Sequence, residues 1–244
     1  MSADIAVPEH ESELRFYSRI LTTGVNPLWR EDLMNNMGMP IIGLGERIKE
    51  YDHLPLQWMP HIQVADVAAS AQRALELGGS ELMHGKDDNG NSQWAVILDP
   101  SGAAFGIIPV IPAEAMPQLD SSGLMGNINW LELTVSDTAA IVDFYIQVVG
   151  WSTDRNEHNG ECSRNMFSGG GDTVAEICHA HADKIDLPSV WLIYLPVDDL
   201  TESLKRVKED GGNVINVVQR IDGESLSAVI QDPVGVYFGL AQSS

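Results

Sequence analysis

The segment DPSGAAFG at residues 99–106 recurs as DPVGVYFG at residues 232–239, and this repetition decides how the chain is organised. The same spacing relates several other pairs, and a slightly shorter spacing relates one pair nearer the N-terminus. These pairs are Leu54-Pro55 with Leu187-Pro188, Trp58 with Trp191, Asp66 with Asp199, Gly78-Gly79 with Gly211-Gly212, and Phe16-Tyr17 with Phe144-Tyr145. So many matches indicate an internal duplication. The sequence therefore predicts two homologous domains, residues 1–112 and 127–244, joined by a linker over residues 113–126.

Each half contains a strand followed by a capped helix. Residues 130–135 alternate between apolar and other side chains, which predicts a half-buried strand. Asp137 stands where a helix N-cap belongs, and apolar residues follow it at helical spacing. These apolar residues are Ile141, Phe144, Tyr145, Val148 and Val149. The same succession recurs around Asp66 and Asp199, where each predicted helix ends at a Gly-Gly pair.

Short strand-like runs separated by turn residues follow each predicted helix, such as the run over residues 94–98 before Asp99-Pro100. The repeating unit is therefore strand–helix–several strands, a βαβββ unit used four times. This pattern predicts an α+β protein whose helices cover the apolar faces of its sheets.

Charge and composition narrow the choice of partners. The chain has 14 lysine and arginine residues against 35 aspartate and glutamate residues, for a formal net charge of −21. A nucleic-acid-binding surface needs a basic face, and so does attachment to anionic lipid, so we expect neither partner. Neutral or cationic small molecules remain compatible with this charge.

The sequence also bears on location. Two cysteines cannot form a disulfide framework, and the N-terminus lacks the basic and apolar regions of a signal peptide. No apolar run approaches the roughly 20 residues needed to cross a bilayer. We therefore expect a cytoplasmic protein that does not associate with membranes.

Three groups of residues carry a family resemblance. They are Asp137 with Phe144-Tyr145 and Gly150-Trp151, Trp191 with Asp199 and Gly211-Gly212, and the turn Asp232-Pro233-Val234-Gly235. With their counterparts in the first half, they resemble the glyoxalase/bleomycin-resistance/extradiol-dioxygenase superfamily, also called vicinal oxygen chelate proteins. The resemblance is greatest to the two-domain branch related to lactoylglutathione lyase. It implies two glyoxalase-like domains whose curved mixed sheets enclose two clefts.

The resemblance also implies where a metal would bind. Metal-dependent members of the superfamily hold a divalent cation with residues on the first, fifth and last strands of a domain. The corresponding positions here are Ser2, Met59 and Gly106 in the first half and Trp130, Leu192 and Gly239 in the second. These side chains do not supply the converging oxygen and nitrogen donors that a divalent ion needs. We therefore predict no cofactor and no metal at these positions.

Strand alternation predicts which other side chains face the clefts. In the second half these are Trp130, Glu132, Thr134 and Tyr194, and in the first half Asp4, Met59 and His61. Glu132, His61 and Asp4 are candidate general bases, and the whole set is a candidate ligand-binding set. Trp130 offers a wall on which a planar or cationic ligand can stack. The alternative is that Glu132 and Tyr194 only hydrogen-bond each other or face solvent.

A second metal hypothesis uses different residues. His179 and His181 lie two apart on a predicted strand that also carries Glu176, and two histidines with a carboxylate can bind zinc or iron. The default interpretation is that these are surface or edge-strand histidines.

These observations favour a protein that binds a small organic molecule in a cleft, as bleomycin-resistance proteins do, without the metal of the family. The alternative is a lyase, isomerase, hydroxylase or dioxygenase of the same superfamily that acts on a small metabolite. In a third interpretation one half is a degenerate scaffold or completes a cleft in a dimer. The sequence leaves both a monomer and a homodimer open.

Overall fold

The computed structural model describes residues 1–21, 41–112, 128–154, 163–180, 187–219, 223 and 225–243. Its elements in chain order are β1 Ser2–Val7, α1 His10–Leu21, β2 Ile42–Glu46, β3 Met59–Val64, α2 Val67–Glu76, β4 Ser80–Lys86, β5 Ser92–Leu98, β6 Ala104–Pro109, β7 Trp130–Val135, α3 Thr138–Val149, β8 Ser152–Thr153, β9 Ser163–Phe167, β10 Thr173–His179, β11 Trp191–Val197, α4 Leu200–Glu209, β12 Asn213–Gln219, β13 Ser225–Gln231 and β14 Tyr237–Gln242. A short 3-10 helix, Lys49–Tyr51, follows β2.

The predicted repeating unit is present. Three successive βαβββ units run from β3 to β6, from β7 to β10 and from β11 to β14. The first unit begins with β1 and α1 and ends with β2, and residues 22–40 between them lie outside the described part. The strands form two open mixed sheets, of six and eight strands, so the α+β prediction is confirmed.

The chain divides into two compact units that do not follow the two sequence halves. Unit 1 comprises Met1–Trp58, Gln118–Trp130 and Leu192–Ser244, and unit 2 comprises Met59–Pro117 and Leu131–Trp191. Each unit therefore combines segments from both halves. The predicted linker over residues 113–126 lies outside the described residues, and the boundary that it sets stays a prediction.

Each repeat unit pairs its first strand with its last strand in parallel. In unit 1, β1 pairs with β2 and β11 with β14, and in unit 2, β3 pairs with β6 and β7 with β10. The remaining strands extend these pairs as antiparallel ladders, in the orders β14-β13-β12, β6-β5-β4 and β10-β9-β8. Each ladder thus begins at a parallel pair that holds the opening strand of its repeat.

The predicted caps and core are confirmed. The carboxylates of Asp66, Asp137 and Asp199 each accept a hydrogen bond from the backbone N–H three residues on, at 3.0, 3.0 and 2.9 Å. In β7, Leu131, Leu133 and Val135 are buried, whereas Trp130, Glu132 and Thr134 are half-buried. The five apolar residues predicted for α3 are all buried, and so are Trp58 and Trp191.

The turns that begin with Asp99 and Asp232 explain why their motif is repeated. Asp99 accepts hydrogen bonds from two backbone N–H groups of its own turn and from the hydroxyl of Tyr145, the last at 3.0 Å. Asp232 does the same in unit 1, where the hydroxyl of Tyr17 donates to it at 2.9 Å. Each aspartate is almost fully buried, at 3% and 1% exposed, and its hydrogen-bond partners compensate for the desolvation of a charge. The motif therefore fastens a turn to a helix.

Candidate functional site

The side chain of Tyr194 lies directly on a glycine of the neighbouring strand. Tyr194 on β11 is paired with Gly239 on β14. Two of its ring atoms, Cε1 and Cγ, lie 2.5 Å from the position that a Cβ atom on Gly239 would take. Real Cβ atoms do not come this close to other atoms, so the ring occupies space that only glycine leaves free. The tyrosine is 8% exposed, and hence its ring is held in place.

His61 repeats this arrangement in unit 2. It pairs with Gly106 on the parallel strand β6, and its Cδ2 atom lies 2.6 Å from the position of a Cβ there. The imidazole is half-buried, and it therefore combines a fixed position with access to solvent. A neutral imidazole offers one hydrogen-bond donor and one acceptor. The pair Tyr194–Gly239 and the pair His61–Gly106 are called the ring–glycine pairs below.

Asp4 occupies the equivalent position on β1, opposite Gly43 on β2. Its Cγ lies 3.1 Å from the position of a Cβ on Gly43. Unlike the ring–glycine pairs, this side chain is exposed. Asp4 is therefore placed as predicted on the face of β1 opposite to the buried residues, with its carboxylate open to water.

Glu132 is the member of this series that does not face glycine. It lies on β7 directly opposite Glu176 on β10, and both side chains are half-buried. Directly paired residues of adjacent strands project to the same face, so two carboxylates stand side by side there. Thr134 and Trp130 share the face of Glu132 and are also half-buried. Glu176 thus stands where the last strands of the other three repeats have glycine, and it places a second acidic group beside Glu132.

The residues at the family's metal positions do not fit a metal. Trp130 is half-buried, and Leu192 and Met59 are 2% and 5% exposed, so these positions carry indole, alkyl and thioether groups. At Gly239 and Gly106 the adjacent rings fill the space that a ligating side chain would need. Among the described residues, no group of three or more His, Cys, Asp and Glu side chains could hold an ion. These positions therefore do not offer the oxygen and nitrogen ligands that a divalent ion needs.

Two residues of the second metal hypothesis, Glu176 and His179, lie on opposite faces of β10. Glu176 to His179 are paired without interruption to Glu132 to Val135, and residues three apart on a strand project to opposite faces. Glu176 therefore does not share a face with His179. His181 lies outside the described residues, so its part in this hypothesis stays a prediction.

The structure also contains one feature that sequence reasoning missed. Gly106 and Gly239 are the last residues of the two repeated segments, and the repetition of a glycine at the centre of a strand signals a close approach of another group. The sequence-based prediction treated them only as lost metal ligands. Their partners could not be identified without the strand register.

Unit 1 also has an open depression of about 520 Å³ where β1 turns into α1. Glu9, His10, Arg15, Glu46 and Arg47 contribute charged or ionisable groups to its lining. None of the candidate site residues lines it. It is therefore distinct from the strand faces described above.

Comparison with known proteins agrees with this fold. The family model of the glyoxalase/bleomycin resistance protein/dioxygenase superfamily matches residues 127–240, and a glyoxalase-like domain model matches residues 2–108. Lactoylglutathione lyase of Escherichia coli O157:H7 is 30% identical over 111 residues, which are 42% of this chain and 82% of the lyase. This chain belongs to the glyoxalase/bleomycin resistance protein/dioxygenase superfamily.

Other similarities extend over more of the chain. The anthracycline biosynthesis protein DnrV of Streptomyces peucetius is 27% identical over 163 residues, covering 67% of this chain and 58% of DnrV. The Mn(II)-bound glyoxalase of Novosphingobium aromaticivorans superposes with a TM-score of 0.59 and 14% identity, covering 99% of this chain and 80% of that one. At this identity the likeness concerns the fold. No helix in the described ranges is long and apolar enough to span a membrane.

Proposed function

We propose that this superfamily member binds a small organic molecule, neutral or cationic, without a metal at the family positions. The observation that carries this proposal is the pair Tyr194–Gly239, in which a fixed ring occupies the space beside a former ligand position. The pair His61–Gly106 supports it independently in unit 2. The half-buried His61 ring is held against its strand and keeps an exposed edge, so it can contact a ligand with little loss of side-chain entropy on binding.

The side chains on these faces favour a planar ligand that carries positive charge. Trp130 is half-buried on the face of Glu132 and offers an aromatic surface, and the small exposed part of Tyr194 offers another on β11. Aromatic faces attract planar rings and cations. In unit 2, Glu132 and Glu176 place two acidic groups on one face. The net charge of −21 also attracts a cationic ligand, and it acts over a longer range than these contacts. The similarity to DnrV, named for anthracycline biosynthesis, suggests a suitable probe.

The first test uses daunorubicin, a planar anthracycline with a protonated amine, and anthraquinone-2-sulfonate, a planar anion. We expect the purified chain to bind the cationic probe more tightly, measured by fluorescence titration. Tyr194→Ala and His61→Ala should each weaken that binding. Trp94→Ala is the matched control, because the ring of Trp94 also packs on a glycine, Gly85, but lies outside the candidate set. Equal affinity for the two probes, or equal effects of all three substitutions, would contradict this proposal.

A second test addresses the metal. The chain is purified without chelators and analysed by mass spectrometry for manganese, iron, nickel and zinc, and then titrated with each ion. The proposal predicts substoichiometric metal and probe binding that EDTA does not change. One equivalent of a tightly held divalent ion, or loss of probe binding on chelation, would overturn it.

An enzymatic function is the second candidate, and Glu132 opposite Glu176 is the observation that favours it. A carboxylate on a half-buried strand face can act as a general base toward a substrate bound there. The activity would be that of a lyase, isomerase, hydroxylase or dioxygenase. We expect Glu132→Gln to abolish any turnover of S-lactoylglutathione or catechols while leaving binding intact, and Glu76→Gln on the exposed face of α2 to have no effect. Turnover that survives Glu132→Gln would exclude this role.

The sequence predicts a cytoplasmic location and a monomer or homodimer. Both remain predictions, and light scattering of the purified chain would distinguish a monomer from a homodimer. A binding stoichiometry of one or two probes per chain would show whether both halves are functional or one is a scaffold.

A further inference from the structure

Unit 1 buries two acidic side chains against each other. Glu13, in the first turns of α1, and Asp232, in the turn before β14, are each 1% exposed. Their carboxyl groups are hydrogen-bonded. A hydrogen bond between two carboxyl groups needs a proton on one of them, because an ionised carboxylate only accepts. The two residues therefore hold one proton between them.

The proton belongs to Glu13. Asp232 already accepts from the hydroxyl of Tyr17 and from the backbone N–H groups of Val234 and Val236, at 2.9, 3.1 and 2.7 Å. These donors stabilise Asp232 in its charged form, whereas no donor group reaches the buried oxygen Oε2 of Glu13, so a negative charge on Glu13 would be uncompensated. Glu13 is thus the donor and Asp232 the acceptor.

Unit 2 has the same network without the second acid. Trp191 donates to the hydroxyl of Tyr145 at 2.8 Å, and Tyr145 donates to Asp99. In unit 1, Trp58 and Tyr17 take the corresponding places, with a distance of 3.2 Å between Trp58 Nε1 and the Tyr17 hydroxyl. In the repeat, however, the position of Glu13 corresponds to Ile141, which is 3% exposed. The acid is therefore not required by the network that both units share.

We propose that the Glu13–Asp232 pair is a proton-dependent lock that joins α1 to the turn before β14 in unit 1 and makes the stability of this unit depend on pH. Loss of the proton leaves two negative charges in contact within the core. Among the described residues, the other titratable groups that act on Glu13 are Glu9 and the Tyr17 phenol, and neither supplies a compensating positive charge. Ionisation therefore releases the contact, and the strand that carries Gly239 begins directly after this turn.

The direction of the pH dependence follows from linkage. Burial and the neighbouring Asp232 raise the pKa of Glu13 from 4.5 to about 8. Between these values the folded chain holds a proton that the unfolded chain has released, so stability falls as the pH rises. The stability that this proton contributes is fully present below the unfolded pKa of 4.5. It is lost as the pH rises through the folded pKa of about 8. For one proton the unfolding constant rises by up to roughly tenfold per pH unit in this window.

The test compares the wild type with Glu13→Gln, Glu13→Ile and the control Glu11→Gln, which changes an exposed residue of the same helix. Urea unfolding is measured between about pH 5 and about pH 9. We expect the free energy of unfolding of the wild type and of Glu11→Gln to fall over this range. In both Glu13 variants its slope against pH should be smaller by the contribution of one proton. Ile141→Glu should introduce a comparable slope through unit 2. Equal slopes for the wild type and Glu13→Gln would overturn the lock.

A second measurement does not depend on any variant folding. Infrared difference spectroscopy of the wild type between neutral and alkaline pH should show the carbonyl band of a protonated carboxylic acid that disappears with a midpoint near pH 8. Hydrogen exchange, corrected for its intrinsic pH dependence, should then show that α1 loses protection while α3 does not. Absence of the band at neutral pH, or parallel loss of protection in both helices, would contradict the proposal.

Discussion

Replacing Gly239 with alanine tests whether the Tyr194 ring is fixed by the missing side chain. The new Cβ would lie 2.5 Å from Cε1 and Cγ of the ring, whereas carbon atoms in contact lie about 3.5–4.0 Å apart. The ring must therefore move by about 1 Å or leave the glycine. Because Tyr194 is 8% exposed, it has little room to do so. Overpacking of this kind lowers stability by about 1–3 kcal/mol, and we expect about 2 kcal/mol.

Gly45→Ala is the matched control on another parallel strand of unit 1. The nearest atom to a Cβ at Gly45 is the carbonyl oxygen of Ile5 at 3.7 Å, which is an ordinary contact. Alanine also restricts the unfolded chain, so this substitution should be neutral or stabilise by a few tenths of a kcal/mol, up to about 1 kcal/mol. Both variants are measured by urea unfolding at one pH.

A double-mutant cycle with Tyr194→Ala separates the ring from other causes. In the Tyr194→Ala background, Gly239→Ala should lower the free energy of unfolding by less than about 0.5 kcal/mol, because the colliding ring is absent. The reasoning would be refuted if Gly239→Ala alone had no measurable effect, or if its effect were the same with and without the ring. A destabilisation by Gly45→Ala equal to that of Gly239→Ala would point to strand glycines in general.

Two further substitutions test how the helices are held. Tyr145→Phe leaves the buried Trp191 Nε1 without an acceptor and Asp99 with one donor fewer. The free energy of unfolding should therefore fall by about 2–3 kcal/mol in urea titrations. A loss below about 0.5 kcal/mol would show that these hydrogen bonds do not stabilise the fold. Asp137→Ala removes the N-cap of α3 and should lower the free energy of unfolding by about 1 kcal/mol, while Asp137→Asn should restore most of it.

Local patterns predicted much of the secondary structure. The alternation in β7 predicted which of its residues are buried, because successive side chains of a strand project to opposite faces. Asp137 predicted the start of α3, because a cap needs only a carboxylate and the N–H groups of the next turn. These relations extend over a few residues, and the order of residues along the chain is sufficient to reveal them.

The site was predicted less completely. The faces that carry Glu132 and His61 followed from alternation, but the residues opposite them did not. Strand register depends on which strands pair, and pairing joins residues distant in the sequence. Only the folded chain therefore shows that Glu132 is paired with Glu176 and that His61 is paired with Gly106.

The repeated segment that ends each half shows the same division. By itself, the sequence determined that two equivalent Asp-Pro-x-Gly turns and two equivalent Phe-Tyr helices exist, because each motif is local. It could not decide which tyrosine meets which aspartate, since the two copies offer the same hydrogen-bonding groups. Only the tertiary structure decided that Tyr17 pairs with Asp232 and Tyr145 with Asp99, so that each compact unit draws on both halves. Chemically equivalent partners are distinguished by packing over the whole chain, where a difference such as Glu13 in place of isoleucine acts on one copy alone.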